Sequence, residues 1–396
     1  MSSTAGPADS SDARRVGDLA LRLIRERSLS CQEQGVARLV ADEMRALGFA
    51  VEVDDLGNVI GTLDAGPGRC VLLDSHLDTV GVGDRPAWKH DPEGELVGDR
   101  LYGRGAMDMK GPLAASMVGI ASLCGRLRCG KVVVSATIAE ELIEGPATVH
   151  VAERVHPDVA IICEATSLRI AHGQRGRAEV RVEVFGRSTH SSRPELGVNA
   201  AQSMVDVVSA LRTLQPPHHD VLGDGILVLT DMMSTPYPAN SVVPNHCIAT
   251  FDRRTLPGET REDVLEPIAR ILEHTLSGSG AYGFASIAED DFISYTGARI
   301  TGPNFAEAWY VPERDEMIQR ALRAMEDAGI APRATHYAFC TNGSGTAGKL
   351  GIPTIGFGPG DETLAHRPDE HVDVQELAAA ARGYAALVQQ FMDMLG

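Results

Sequence analysis

The chain has 396 residues, of which 43% are hydrophobic and 5% aromatic, a composition typical of a globular α/β protein with more than one domain. Its formal net charge of −18 argues against nucleic acid and against an anionic membrane as partners. The seven scattered cysteines exclude a disulfide framework, and because neither a secretion signal nor a membrane-spanning run is evident, we expect a cytoplasmic protein.

The first part of the chain alternates between predicted helices and predicted strands. Residues 1–12 are polar and are expected to form a disordered tail, and helical spacing follows as far as Gly48, a residue type that commonly ends helices. Short apolar runs then predict buried strands, at 49–53, 59–63, 70–74, 131–137 and 159–163. A helix is predicted at 112–123. This alternation indicates a buried sheet of the α/β class.

The pattern changes near residue 173, where apolar and polar residues begin to alternate as in a half-exposed antiparallel strand. The elements predicted in this region are a helix and three strands, at 199–214, 178–185, 226–229 and 246–252. After about residue 300, a helix at 313–328 and a buried strand at 352–357 restore the α/β pattern. We therefore predict one domain at 13–172 and 299–396, with a mixed, mostly parallel sheet flanked by helices, interrupted by a smaller α+β domain at 173–298.

A histidine and an aspartate emerge together from one predicted strand. His76 and Asp78 follow the apolar run at 70–74, and side chains two residues apart in extended chain point to the same side. An imidazole beside a carboxylate is typical of a metal ligand and the group that orients it. A structural histidine bonded to an aspartate is the alternative, and the pair alone does not decide between them.

Three further carboxylates stand at the ends of predicted elements. Asp108 lies between a Gly-rich turn and a helix, where a helix cap is the alternative to a metal ligand. Glu140 and Glu141 follow the strand at 131–137 and point in different directions, so that one suits a metal and the other a bound water. A solvated glutamate pair is the alternative there.

Glu164 and His366 complete the set of candidates. Glu164 ends an apolar run, and His366 lies just beyond the strand at 352–357. Two histidines and three carboxylates, with a spare glutamate and a spare aspartate, suit a two-metal hydrolytic site with mixed nitrogen and oxygen ligands. Zinc is the expected metal, and cobalt and manganese are the alternatives.

These motifs resemble those of peptidase family M20, which includes acetylornithine deacetylase, succinyl-diaminopimelate desuccinylase and glutamate carboxypeptidase. The similarity extends over nearly the whole chain beyond the tail. It rests on His-x-Asp-Thr-Val, Gly-Arg-Gly-x-x-Asp-Met-Lys-Gly, Glu-Glu, a later single acid and Ala-His, at 76–80, 103–111, 140–141, 164 and 365–366.

The resemblance implies a role for each metal-site candidate. Asp108 would bridge two metal ions. His76 and Glu164 would complete one site, and Glu141 and His366 would complete the other.

The resemblance also implies the groups that act beside the metals. Asp78 would orient the first histidine, and Glu140 would be the general base and proton shuttle. The peptide between Asp108 and Met109 is expected to be cis.

The inserted domain resembles the ferredoxin-like lid of the family, which usually dimerises. His190 would reach the partner subunit's site and stabilise the oxyanion, although without the resemblance a loop histidine near a turn is the preferred interpretation. Asn240 and Arg253 match lid positions that hold a substrate carboxylate, a group that the arginine fork binds well. The adjacent Arg254 is not expected to have this role.

A small-residue loop precedes the last predicted strand. The backbone N–H groups of Asn342, Gly343 and Ser344 are candidates to cradle a substrate carboxylate. Many relatives carry an acid at this place and this chain does not, so that a named relative's substrate is not transferred.

The expected activity is hydrolysis of the amide bond of an N-acyl amino acid, of the deacetylase or desuccinylase type, by a homodimer. A dipeptidase or carboxypeptidase with the same site is the main alternative, and a short peptide would then be the substrate. A two-metal phosphoesterase is less expected because no phosphate-sized cationic cluster accompanies the motifs. A metal-binding scaffold without activity is also less expected, because Glu140 is present.

Overall fold

A computed structural model describes residues 10–393 of the chain. The predicted tail lies outside the described residues as far as residue 9, and the first helix begins at Ser10. The described chain forms two compact units. The first contains the described parts of Met1–Gln174 and Tyr310–Gly396 together with Asp291–Ile300, and the second contains Arg175–Asp290 and Thr301–Trp309.

The boundary near residue 300 differs from the predicted one, because Asp291–Ile300 packs with the first unit. The Tyr295 hydroxyl donates to the carbonyl oxygen of Gly57 at 2.7 Å, and the Thr296 hydroxyl donates to that of Asp55 at 2.7 Å. These hydrogen bonds tie the segment to a turn far away in sequence, which local patterning does not reveal.

The first unit is built on a mixed sheet. Its strands, in spatial order, are Ala50–Val53, Val59–Asp64, Lys131–Thr137, Cys70–His76, Val159–Ile162, Thr354–Gly356 and Ile170–Gln174, and Ala334–Tyr337 also pairs with the last of these. The four strands from Lys131–Thr137 to Thr354–Gly356 are mutually parallel. Antiparallel neighbours flank them. The parallel strands Cys70–His76, Lys131–Thr137 and Val159–Ile162 are almost fully buried, which matches their runs of Val, Ile and Leu.

Helices surround this sheet, and the bounds of those in the first unit are Ser10–Arg25, Gln34–Ala46, Lys110–Ala121, Pro146–Val155, Glu316–Asp327 and Val374–Met392. The helix Lys110–Ala121 is buried along almost its whole length. Gly119 allows it to approach Val374–Met392 closely, because a Cβ there would lie 2.2 Å from the carbonyl oxygen of Ala381. The helix begins at Lys110, two residues after Asp108.

The second unit has the connectivity β-α-β-β-α-β. Its strands Gly176–Phe185, Ile226–Thr235, His246–Thr255 and Tyr282–Ile287 are joined through the helices Ala200–Leu211 and Arg261–Leu276. All neighbouring strands are antiparallel, and the spatial order is second, third, first, fourth. This is the ferredoxin-like arrangement, so the predicted fold class is confirmed for both units.

Shorter elements complete the chain. The remaining strands are Glu95–Val97, Arg100–Tyr102, His218–His219, Gly223–Asp224, Glu289–Ile293, Arg299–Pro303, Phe305–Ala306, Trp309–Tyr310 and His371–Asp373. Single helical turns lie at Arg85–Ala87, Pro194–Leu196, Ser344–Lys349 and Glu362–Leu364. Within residues 10–393, no helix combines the length and the apolar character needed to cross a bilayer.

Candidate metal centre

The carboxyl ends of the parallel strands bring the predicted metal ligands together. The strand Cys70–His76 ends on its own histidine, and His76 is in register with Thr137, which closes the neighbouring strand before Glu140. On the other side, Asp74 is in register with Ile162, shortly before Glu164. Parallel strands direct their ends to one edge, which is where α/β sheets usually place a site.

His76 faces two carboxylates. Its Nε2 lies 3.0 Å from Oδ1 of Asp108 and 3.3 Å from Oε1 of Glu164. Its Nδ1 lies 2.9 Å from the backbone oxygen of Asp78, so Nδ1 carries the proton in the neutral ring. The unprotonated Nε2 is therefore the atom free to bind a metal.

His366 faces the other side of the same aspartate. Its Nε2 lies 3.3 Å from Oδ2 of Asp108 and 2.9 Å from Oε2 of Glu141. Each oxygen of Asp108 thus points to a different histidine, as a bridging ligand requires. The peptide between Asp108 and Met109 is cis, as predicted.

The charges of the cluster fit two divalent cations. The ligand atoms of His76, Glu140 and Glu164 lie within 4.8 Å of one another, as do those of His76, Asp108 and Glu141. Burial raises the pKa of Glu164 to about 7, and burial followed by neighbouring acids raises the pKa of Glu140 well above its usual value. Crowded buried carboxylates need compensating positive charge, and divalent ions with nitrogen and oxygen ligands supply it. The residues therefore support a dinuclear centre.

Asp78 contacts His76 and also binds the backbone of the segment that carries Glu140 and Glu141. Its Oδ1 lies 3.5 Å from His76 Nδ1 and accepts the backbone N–H of Glu140 at 3.1 Å. Its Oδ2 accepts the N–H of Glu141 at 3.2 Å and the hydroxyl of Ser30 at 2.7 Å. One buried carboxylate thus fixes the backbone of the predicted base and of its neighbouring ligand.

Two supporting acids were not identified from the sequence. Glu33 accepts the backbone N–H of Ala139 through Oε1 at 3.1 Å, at a residue whose φ is +56°. Glu370 accepts the backbone N–H of Asp108 at 3.3 Å and pairs with Arg104 at 2.5 Å. Glu33 lies in a loop that carries no recognisable motif. Glu370 lies four residues after His366, and this position is the sequence signal by which it could have been found.

The predicted carboxylate cradle is engaged within the protein. The amide nitrogen of Asn342 donates to Asp74 Oδ2 at 2.9 Å, and its oxygen accepts the N–H of Gly145 at 2.9 Å. The N–H of Gly343 donates to the Thr341 hydroxyl at 3.0 Å, and that of Ser344 to the Thr341 carbonyl at 3.0 Å. The backbone N–H groups of Gly343 and Ser344 thus already have acceptors within the protein, and Asn342 is held in place through its side-chain amide.

Substitution of Asn342 by alanine is therefore expected to destabilise the fold. The change removes hydrogen bonds to the fully buried Asp74 and to Gly145, at a cost of about 2–4 kcal/mol of unfolding free energy. Urea unfolding of Asn342→Ala beside Asn245→Ala, at an exposed position, checks this. An unchanged midpoint with a raised KM would instead favour the predicted contact with substrate.

The remaining predicted site residues lie in the second unit, where two loops bring His190 and Asn240 close in the fold. His190 forms a bridge with Val242, and the N–H of Ser191 donates to the carbonyl oxygen of Ser241 at 2.9 Å. Both His190 and Asn240 are exposed.

The two adjacent arginines of the strand His246–Thr255 face opposite sides. Arg253 is 3% exposed, and its guanidinium pairs with Glu259 at 2.6 Å. Arg254 lies on the open face and pairs with Asp252 at 2.7 Å. Arg253 is therefore buried and paired within the second unit, whereas Arg254 is partly exposed on the other face of the strand.

The sequence matches a family model and curated proteins over most of its length. Residues 72–390 match the model of Peptidase family M20/M25/M40. The chain is 34% identical to the uncharacterized protein YgeY of Escherichia coli (strain K12), over 91% of this chain and 90% of that protein. It is 27% identical to acetylornithine deacetylase of Proteus mirabilis (strain HI4320), over 90% of each.

A solved structure shows that the fold is shared. The structure of Bacillus subtilis YXEP, a dinuclear metal-binding peptidase, superposes with a TM-score of 0.69 at 16% identity, over 97% of this chain and all of that one.

Proposed function

Since the chain belongs to peptidase family M20/M25/M40 and is thus a metal-dependent hydrolase, as its motifs predicted, we propose that it cleaves the amide bond of an N-acyl amino acid. We propose zinc as the native metal, with cobalt or manganese as substitutes. The observation that carries the proposal is Asp108, whose two carboxylate oxygens face His76 and His366, with Glu140 beside them.

When bound, two such ions lower the pKa of a water molecule and polarise a carbonyl group. Glu140 then accepts the proton of that water and delivers it to the leaving amine. Burial and the neighbouring acids raise the pKa of Glu140, and a raised pKa favours a carboxylate that can hold a proton between its uptake and its release. Asp78 and Glu33 hold the segment that carries it through backbone N–H groups.

His190 is proposed to stabilise the negative charge on the attacked carbonyl oxygen in the site of a second subunit. Its Nδ1 accepts the backbone N–H of Ser192 at 3.1 Å, so the neutral ring carries its proton on Nε2. An exposed N–H donor of this kind is what an oxyanion site requires.

The substrate carboxylate is proposed to bind on the second unit. Asn240 is exposed in the loop beside His190, and the partly exposed Arg254, which pairs with Asp252, lies on one face of the strand His246–Thr255. The name of the Proteus mirabilis relative, acetylornithine deacetylase, favours an N-acyl amino acid. The description of YXEP as a peptidase favours the second candidate, a dipeptidase or carboxypeptidase using the same residues.

A substrate panel tests the proposal. The enzyme would be stripped with chelator, reloaded with zinc, cobalt or manganese, and assayed for amine release from N-acetyl, N-succinyl and N-formyl amino acids and from dipeptides. We expect metal-dependent release from one acyl class. Release from dipeptides alone would establish the peptidase, and two bound metals without any release would favour the inactive scaffold.

A homodimer is proposed because the second unit exposes an apolar edge strand. The strand Ile226–Thr235 pairs on one side only, and Val228, Met232 and Met233 are 50%, 45% and 55% exposed. Such an edge readily pairs with a second copy unless charged side chains block it. No nucleic-acid or membrane partner is proposed, given the net charge of −18.

Lysine substitutions on this edge are expected to yield a monomer. Each of Val228→Lys and Met233→Lys removes apolar contact worth about 1.5 kcal/mol or more, so the dimer dissociation constant should rise at least about 100-fold for the double variant. Analytical ultracentrifugation measures this. Val53→Lys, on an edge strand of the first unit, is the control and should leave the mass unchanged. A double variant that remains dimeric would place the interface elsewhere.

The cytoplasm is proposed as the compartment because all seven cysteines are free and four of them are buried.

A further inference from the structure

A cavity that is separate from the candidate metal centre lies in the first unit, beside the loop that follows Asp78. Its volume is about 300 Å³, at the small end of the range for ligand pockets. None of the metal-site residues lines it. Four basic side chains line it, from Arg25, Arg27, Arg104 and Lys110. In a chain with a net charge of −18, this concentration of positive charge is unusual.

The two arginines at the cavity rim are not neutralised by the protein. Arg25 and Arg27 are exposed, and within the described residues neither side chain has a hydrogen bond or ion pair. The acid lining the cavity is Glu93, and its carboxylate lies 3.4 Å from Arg85. Positive charge at the rim is therefore available to an anion from solvent.

The buried cations of the cavity have one acceptor each and keep further donors that the described chain does not use. Arg104 pairs with Glu370 through Nη1, but its buried Nε has no hydrogen-bond partner among the described residues. The ammonium of Lys110 is buried and donates to one acceptor in the described chain, the backbone oxygen of Glu26 at 2.7 Å. The carboxylates of Glu26, Glu370 and Asp78 act on this ammonium through their charges, and none of them is hydrogen-bonded to it in the described chain. Buried donors without acceptors are costly, and an anion would relieve that cost.

Apolar walls indicate what kind of anion fits. Leu29, Val80 and Val82 line the cavity together with the basic residues. An inorganic anion would leave these surfaces uncovered, whereas a short hydrocarbon chain would bury them. Guanidinium groups bind a carboxylate through paired hydrogen bonds.

We propose that this cavity binds a small organic carboxylate, whose carboxylate group binds the arginines and whose hydrocarbon chain packs against Leu29 and Val82. The site is separate from the metal centre, and its occupancy does not depend on the proposed hydrolytic activity.

Calorimetric titration of the metal-loaded enzyme with acetate, butyrate and hexanoate tests the proposal. We expect saturable binding that strengthens from acetate to butyrate as more apolar surface is buried. The variant Arg25→Gln/Arg27→Gln should bind butyrate at least tenfold more weakly. Because both side chains are exposed and unpaired in the described chain, the variant should fold normally, which circular dichroism checks.

Arg15→Gln is the matched control, on the same helix Ser10–Arg25 but outside the cavity, and should bind butyrate like the unmodified enzyme. Butyrate binding that is unaffected by the double substitution would locate the carboxylate on the metals and overturn the proposal. Absence of saturable binding by all three carboxylates would also overturn it.

Discussion

Glu140→Gln is expected to lower kcat by about 10²–10⁴-fold while the enzyme still binds two metal ions. Glutamine keeps the size of the side chain and one of its oxygens, but its second oxygen is replaced by an NH2 group and it cannot take up a proton from water. The nearest oxygen of Glu140 lies 3.9 Å from His76 Nε2, farther than those of Asp108 at 3.0 Å and Glu164 at 3.3 Å. This distance favours a base over a metal ligand.

Turnover and metal content must be measured on the same preparation. Glu153→Gln, at an exposed position on the helix Pro146–Val155, is the matched control and should change neither. Loss of one metal ion in Glu140→Gln would show that this side chain is a ligand, as its place in a cluster with His76 and Glu164 permits. Normal turnover would contradict the mechanism and leave the proton transfer to another group.

The metal centre was predictable because it follows from strand order. Apolar runs identify parallel strands, and the residues just beyond their carboxyl ends must then meet at one edge of the sheet. His76, Glu140 and Glu164 all obey this rule. The rule needs no knowledge of side-chain contacts, but it does not extend to Asp108 and His366, whose roles the family resemblance implied.

Residues whose roles depend on distant partners were not predictable in the same way. Asn342 looked free in a small-residue loop, yet it satisfies Asp74, which is 268 positions away in sequence. Arg253 and Arg254 are adjacent and chemically identical, and only the alternation of the strand and the pairing with Glu259 separate them. A buried ionic partner cannot be read from spacing.

The strand Ile226–Thr235 shows a further limit. The apolar run predicted its first residues only, because a bulge between Leu229 and Asp231 shifts the register and breaks the regular alternation. The adjacent Met232 and Met233 are both exposed, so burial does not alternate along this part of the strand. They nevertheless form the edge on which the homodimer is proposed.

His366→Ala is expected to reduce the metal content from two ions to one per chain. The side chain of His366 is 51% exposed and that of His76 is 1% exposed, so the two halves of the centre differ in their access to solvent. Without His366, one half keeps Glu141 and the shared Asp108, which is too few protein ligands for a tight zinc site. The other half keeps His76, Glu164 and the same Asp108.

Loss of one ion should lower kcat/KM by at least about 100-fold, since each ion contributes several kcal/mol to charge stabilisation. Elemental analysis after gel filtration measures the stoichiometry, and His274→Ala, at an exposed position on the helix Arg261–Leu276, should retain both ions. Retention of two ions by His366→Ala would remove His366 from the ligand set. Loss of both would mean that the halves bind cooperatively through Asp108, because removing one ion would then leave the bridging carboxylate unable to hold the other.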